Sequence, residues 1–417
     1  MKEHCGYWLG GPREAEVVNI DRMNPAVVKE PLWTRAFIYL AVSNALLASG
    51  FHMLIPTLPL FIAGFGGTDA QIGLIMGSFT FSAVLIRFYT VQGINRLGKT
   101  NFLLWGIVIC MIAIAGYYWA TNVALSLSTR ILHGVGFGIA TTMYATIVSD
   151  IIPGSRRGEG MGYFGLGSTL LMALAPAIGV WVVDSYGFAV LFAVAAASQV
   201  LAFVWTQASR MPAALVSHAE AGSPGMGRLI ERQAIFPAVL SLLLGICIGG
   251  VLSFVTLLAR EVHVANAGYF FLVATSNVFL ARLVTGRIFD QKGPAWVIIP
   301  GAVVLFLGLM ILSKVSSPDA FLWAAACYGL GTGSMFPALQ TWMINMVTPE
   351  RRSIANATFF NALDTGVGGG AIVLGILAGQ SGYQSIYFYS ANVVVCFIVL
   401  YILYLVRQTY GRSTLKP

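Results

Sequence analysis

Charged and titratable side chains are rare inside the apolar stretches of this sequence, and the few that stand there carry its chemistry. Asp364 is the one acid far from the end of any apolar run, roughly 16 Å from the start of its stretch near Ser353 at the rise of a helix, close to a bilayer midplane. Asn361 lies about one turn before it, and Gly366, Gly368, Gly369, Gly370 and Gly375 follow, a run that admits another backbone closely. A carboxyl held away from water can take up and release a proton, as ion coupling requires; the same Asp also fits a structural hydrogen bond to a neighbouring helix. Arg130 and His133 stand three apart on one helix face, and an imidazole titrates near neutrality, so the pair can exchange a proton. His52 and Asn44 fall in the first apolar run and, with Asp364, Asn361, Arg130 and His133, are candidates for a proton and solute pathway, although His52 taken alone reads as a satisfied structural histidine. Arg87 and Arg282 sit about 12 Å from their nearest loops and read first as snorkelling or end-capping groups, second as gating groups.

The elements that must position these residues follow from composition. At 417 residues, 57% hydrophobic and 10% charged, the chain is far from the make-up of a soluble enzyme and belongs in a lipid bilayer. Counting about 20 apolar residues per crossing gives twelve spans, at 34–63, 70–94, 101–120, 122–151, 161–183, 188–206, 234–260, 268–289, 295–314, 320–347, 353–381 and 384–407. Of the 24 Lys and Arg, nineteen fall on one side, two (Arg260 and Lys314) on the other, and Arg87, Arg130 and Arg282 lie within spans. That asymmetry places both termini in the cytoplasm and accounts for the net charge of +8 without a nucleic-acid partner. Residues 1–33 lack the apolar core of a signal peptide and read as a cytoplasmic segment, 207–233 as a cytoplasmic linker between bundles 34–206 and 234–407, and 408–417 as a cytoplasmic tail. Four of the five Cys lie in apolar runs with no metal-ligand spacing, so neither a metal nor a cofactor is expected.

The two bundles are an internal repeat. Adding 195 takes Gly50 to Gly245, Gly73 to Gly268, Arg87 to Arg282, Gly98 to Gly293, Gly134 to Gly329, Gly136 to Gly331, Gly138 to Gly333, Arg156 to Arg351 and Arg157 to Arg352. Parallel six-helix repeats are an architecture of secondary transporters that rock around a midplane site.

Three segments then carry a resemblance. Gly286-Arg-Ile288-Phe-Asp290-Gln-Lys292-Gly293 is similar to the loop after the second helix of each repeat in the major facilitator superfamily, and Val91-Gln-Gly93-Ile-Asn95-Arg96-Leu-Gly98-Lys99 is its first copy, with Asn95 at the acid's place. Arg130-Ile-Leu-His133-Gly134-Val-Gly136 resembles the family's helix-four signature, associated with proton coupling. Leu171-Met-Ala-Leu-Ala175-Pro176-Ala-Ile-Gly179 is similar to the antiporter signature on helix five, where Pro176 and Gly179 mark a bend. The resemblance covers essentially the whole chain and is to twelve-helix drug and metabolite efflux antiporters.

It implies an all-α membrane protein of twelve helices that exports a small organic or amphipathic solute against protons. It also implies a multi-pass protein of the cell membrane, of bacterial inner-membrane type, acting as a monomer. Asn95, Arg96, Gly98, Lys99, Gly286, Asp290 and Gly293 are then expected to gate the cytoplasmic side, with Asp290 as the latch. Uptake symport and uncoupled facilitation stay open, as does a non-transporting receptor or assembly factor. No P-loop, GxSxG or HExxH pattern occurs, so no enzymatic activity is expected. Met143, Tyr144, Met335, Phe336 and Trp342 either line a solute cavity or simply pack.

Overall fold

A polar group without a partner is costly in hydrocarbon, so a chain of this composition can cross only by closing its own backbone hydrogen bonds. The structure, a computed structural model, describes residues 31–413 apart from 88, 154–155, 210–233, 265 and 349–350, and the described residues form helices with no strand. They are α1 (Arg35–Gly64), α2 (Asp69–Arg87), α3 (Thr90–Leu97), α4 (Lys99–Gly116), α5 (Val123–Ile151), α6 (Arg157–Tyr186) and α7 (Phe188–Ala208). Then come α8 (Ile235–Glu261), α9 (Gly268–Lys292), α10 (Ala295–Leu312), α11 (Pro318–Asn345), α12 (Arg352–Ser381) and α13 (Tyr383–Ser413). At eight residues α3 is too short to cross on its own, which leaves twelve long helices among the described residues. Ten of the helices are long and apolar enough to span a membrane.

The helices follow the expected spans within a few residues, and the differences share one cause. Hydropathy marks where hydrocarbon ends, whereas a helix runs on until its backbone is capped. Thus α9 reaches Lys292, where Gly293 stops it, and α13 continues past 407 through Ser413. The expected N-terminal segment and interior linker lie almost wholly outside the described residues.

Caps set the helix starts. Thr34, Asn122 and Ser317 each accept a hydrogen bond from the backbone N–H three residues on, and Pro318 follows Ser317 where no N–H is needed. Four glycines each end a helix just before the next begins: Gly98, Gly187, Gly293 and Gly382, with φ of 76°, 83°, 88° and 81° and ψ of 160°, 176°, 174° and 165°. That backbone region is open essentially to glycine alone. Their N–H groups bond to Ile94, Val183, Phe289 and Ala378, so both the strained turn and its hydrogen bond recur at the 195-residue offset.

The repeat extends to packing. A side chain on Gly134 would meet the Phe79 carbonyl, and one on Gly329 the Ala274 carbonyl; Gly138 faces Ala83 as Gly333 faces Val278. Gly106 lies on Gly136 and Ala140 as Gly301 lies on Gly331 and Met335. Every one of these partners is again displaced by 195, so the glycines are close-packing sites between helices.

The two helix sets, α1–α7 and α8–α13, meet through α2 against α12, α6 against α9 and α1 against α8. We call the side on which α1 begins inner. Toward the outer side, Gly73 lies on the Ala371 carbonyl, Gly77 on Gly368 and Gly375 on the Asp69 carbonyl, while Gly268 of α9 approaches Ala177 and Val180 of α6. Asp69 accepts a hydrogen bond from the Tyr383 hydroxyl at 2.5 Å, and Thr256 donates to the Pro56 carbonyl at 2.8 Å. The outer ends of the two sets are therefore closed on each other.

Candidate functional site

Asp364 lies on α12 a turn inward of this closed zone, and its partner comes from the opposite helix set. Arg87 Nη1 donates to Asp364 Oδ2 at 3.0 Å, with 29% of each side chain exposed. Arg87 closes α2, and its carbonyl accepts from Thr90 Oγ1 at 2.7 Å. Arg87, read first as a snorkelling group, is an ion-pair partner in this conformation because a carboxylate is within its reach, and Arg130 does not stand beside Asp364 here. Arg282, the repeat mate of Arg87, is exposed, and the register that carries Asp364 back by 195 arrives at Thr169, so the second interface has no matching acid. Asn361 is half-buried, its carbonyl accepting from Thr365.

Arg130 and His133 lie inside the first helix set, each 1% exposed. The Arg130 guanidinium stands 4.5 Å from the centroid of Phe79 and 5.6 Å from that of Phe51, two rings stacked 4.4 Å apart. Cation–π contacts of this kind offset part of the charge's desolvation, about 2 kcal/mol when water is absent. His133 meets Phe51, Phe79 and Tyr117 edge-on at 6.0, 5.2 and 6.1 Å. The aromatic platform was missed because its rings come from spans one and two, where apolar residues are unremarkable. His52 contacts the Ala48 carbonyl through Nδ1 at 2.7 Å, and Asn44 is buried two turns earlier on α1.

At the inner loops, Gly98 and Gly293 make the turns, and Arg96 and Asp290 are exposed. The expected Asp290 latch forms no ion pair among the described residues in this conformation. Lys99 instead reaches Asp150 at the end of α5, 2.7 Å away, tying α4 to α5 within one helix set. Asp150 was passed over because the acid was sought inside the loop pattern, although antiparallel neighbours place the start of span three beside the end of span four. Gly286 has open space where a side chain would stand. Pro176 and Gly179 are buried in an unbroken α6, and Gly179 packs on the backbone of Met53, so close approach to α1 is its visible role. Met143, Tyr144 and Met335 are fully buried, and Phe336 and Trp342 sit among Phe359, Tyr401 and Tyr404; these residues pack. An apolar cleft of about 250 Å³ opens between α6 and α9, lined by Trp181, Tyr269 and their neighbours, away from all these charges.

This arrangement can bind and move charge across a helix interface; among the described residues no cluster of His, Cys, Asp or Glu could hold a metal. Known proteins resemble the chain over most of its length. The chain is 22% identical to the staphylopine export protein of Staphylococcus aureus over 380 residues, covering 87% of this chain and 94% of that protein. It is 25% identical to the multidrug resistance protein MdtG of Proteus mirabilis over 379 residues, 84% of this chain and 90% of that one. Its fold matches the crystal structure of the nucleoside transporter NupG with a TM-score of 0.72 at 16% identity, over 88% of this chain and 99% of that one. The profile of the Major Facilitator Superfamily matches residues 40–292 and 261–417, and the chain belongs to that family of membrane transporters.

Proposed function

We propose that the protein exports a small organic solute in exchange for protons, by alternating access between bundles 34–206 and 234–407. The observation that carries this reading is the Arg87–Asp364 pair, an ion pair inside the membrane whose two members belong to opposite helix sets. A carboxylate must be ionised to hold Arg87, so a proton taken from outside releases the tie, and its loss to the inside restores the tie with the outer ends closed. A two-state protein that binds a proton more tightly in one state is shifted by pH toward that state. Export as the direction is supported by the helix-five signature and by relatives named for drug resistance and for staphylopine export.

The test is flux of a panel of organic solutes in inside-out vesicles with an acidic lumen and the voltage clamped to zero. One-for-one exchange supports about tenfold accumulation per pH unit, the equivalent of about 1.4 kcal/mol. Accumulation driven by an alkaline lumen instead identifies symport, and equilibration without accumulation identifies a facilitator. Asp290 is proposed to latch the inner side when the outer ends part. Asp290→Asn is then expected to lower flux about fivefold more than Asn95→Ala, the worth of one exposed ion pair near 1 kcal/mol. Equal losses in the two variants would argue against the latch.

A further inference from the structure

Among the described residues, buried polar atoms without a hydrogen-bond partner gather at one place: Tyr117 Oη, Ser126 Oγ, Arg130 Nε and Nη1, and His133 Nδ1. The others, on Ser43, Gln199, Tyr387 and Tyr401, sit elsewhere on α1, α7 and α13. Ser126, Arg130 and His133 share one face of α5 by their spacing, and the Tyr117 ring closes on His133 from the end of α4. A guanidinium stays charged at any pH a protein survives, and buried charges are paired. Here no acid is at hand. The sequence of α1, α4 and α7 contains none; Asp69 of α2 is held by Tyr383, Asp150 of α5 by Lys99, and of the two acids of α6 Glu159 lies at its inner start and Asp184 is exposed. Phe51, Phe79 and the Tyr117 hydroxyl near the guanidinium are neutral, so the positive charge has no counter-charge.

We propose that this cluster is an anion-recognition subsite, and that the solute it takes is an organic carboxylate with an aromatic or apolar body. The unpaired N–H groups of Arg130 bind the carboxylate and the hydroxyls of Tyr117 and Ser126 donate beside it. Phe51, Phe79 and Phe137, whose centroids lie 4.4 to 5.4 Å apart, meet the apolar body. Arg130 lies two turns from the outer start of α5, and admission of the solute requires Phe51, Phe79 and Phe137 to part inside the first helix set as well as the outer ends to open. The assignment rests on the transport reading, but the binding it requires does not depend on proton coupling.

The test uses the full-length protein in detergent with three benzene-ring probes of similar size, benzoate, benzamide and benzylamine, titrated calorimetrically at constant ionic strength. Benzoate is expected to bind at least about tenfold more tightly than benzamide, with benzylamine weakest. Arg130→Gln is expected to weaken benzoate about tenfold or more and leave benzamide unchanged, while Arg130→Lys falls between. Should Arg130→Gln not fold, Tyr117→Phe and Ser126→Ala are each expected to weaken benzoate about threefold. Equal binding of benzoate and benzamide, or benzoate binding indifferent to all these variants, overturns the subsite, and displacement of benzoate by equimolar chloride overturns the organic class. Benzoate binding retained in a protein that shows no proton-driven flux leaves the subsite standing and removes the antiport reading alone.

Discussion

Asp364→Asn vesicles are expected to lose proton-driven accumulation altogether, dropping from about tenfold per pH unit to none, while solute-for-solute exchange continues. Asn has the shape of the protonated acid but neither ionises nor pairs with Arg87, so the variant is fixed in one of the two protonation states that coupling needs. The substitution also strips Arg87 of its counter-charge inside the membrane, an environment that costs an unpaired Arg at least about 2.5–3.5 kcal/mol. Lower yield is expected for that reason, and the double variant Arg87→Gln/Asp364→Asn separates the two effects: yield recovers and coupling does not. The pair is partly exposed, which eases the penalty without removing it. Should Asp364→Asn vesicles still build a solute gradient from a pH difference, the carrier lies elsewhere, with His133 and then His52 next to be replaced.

The crossings were legible because hydrocarbon imposes a length and polarity on every span, and the repeat because its glycines sit where helices touch. Gly98 and Gly293 take the same positive-φ turn, and Gly134 and Gly329 press on backbone at positions 79 and 274, so one offset in the sequence becomes one set of contacts in space. The pairing of Asp364 was not legible in the same way. Depth along a helix can be counted from its start, but azimuth cannot, and Arg130 faces the aromatic rings of its own bundle rather than the second helix set. One signal was available. Subtracting 195 from Asp364 gives Thr169, so the acid breaks the symmetry that Arg87 and Arg282 keep, and an acid present at only one of two equivalent interfaces points to the basic residue across that interface. Asn95 shows the opposite limit: its missing charge is not replaced within the loop, and the ion pair at that end, Lys99 with Asp150, joins helices the loop pattern does not mention.

Gly73→Leu is expected to reduce transport about tenfold or more by holding the outer ends apart. A Cβ at Gly73 would stand 2.3 Å from the Ala371 carbonyl and one at Gly77 2.5 Å from that of Gly368, both backbone atoms of α12 that cannot swing aside. Overpacking of this kind costs about 1–3 kcal/mol, and set against only one of two conformations it shifts their ratio roughly 5- to 150-fold. The contact lies between the helix sets, so packing inside each set is untouched and the protein is expected to fold. Gly369→Leu is the control on the same stretch of α12, since nothing lies within 4 Å of its Cβ position. Access to Thr256 reports the conformation, because this residue is fully buried and bonded to Pro56 while the outer ends are closed. Thr256→Cys should resist an impermeant thiol reagent added outside, and should react when Gly73→Leu is added but not when Gly369→Leu is. Protection of Thr256→Cys in the Gly73→Leu background, with transport lost all the same, would mean that the outer contact is structural and that the halves do not part there.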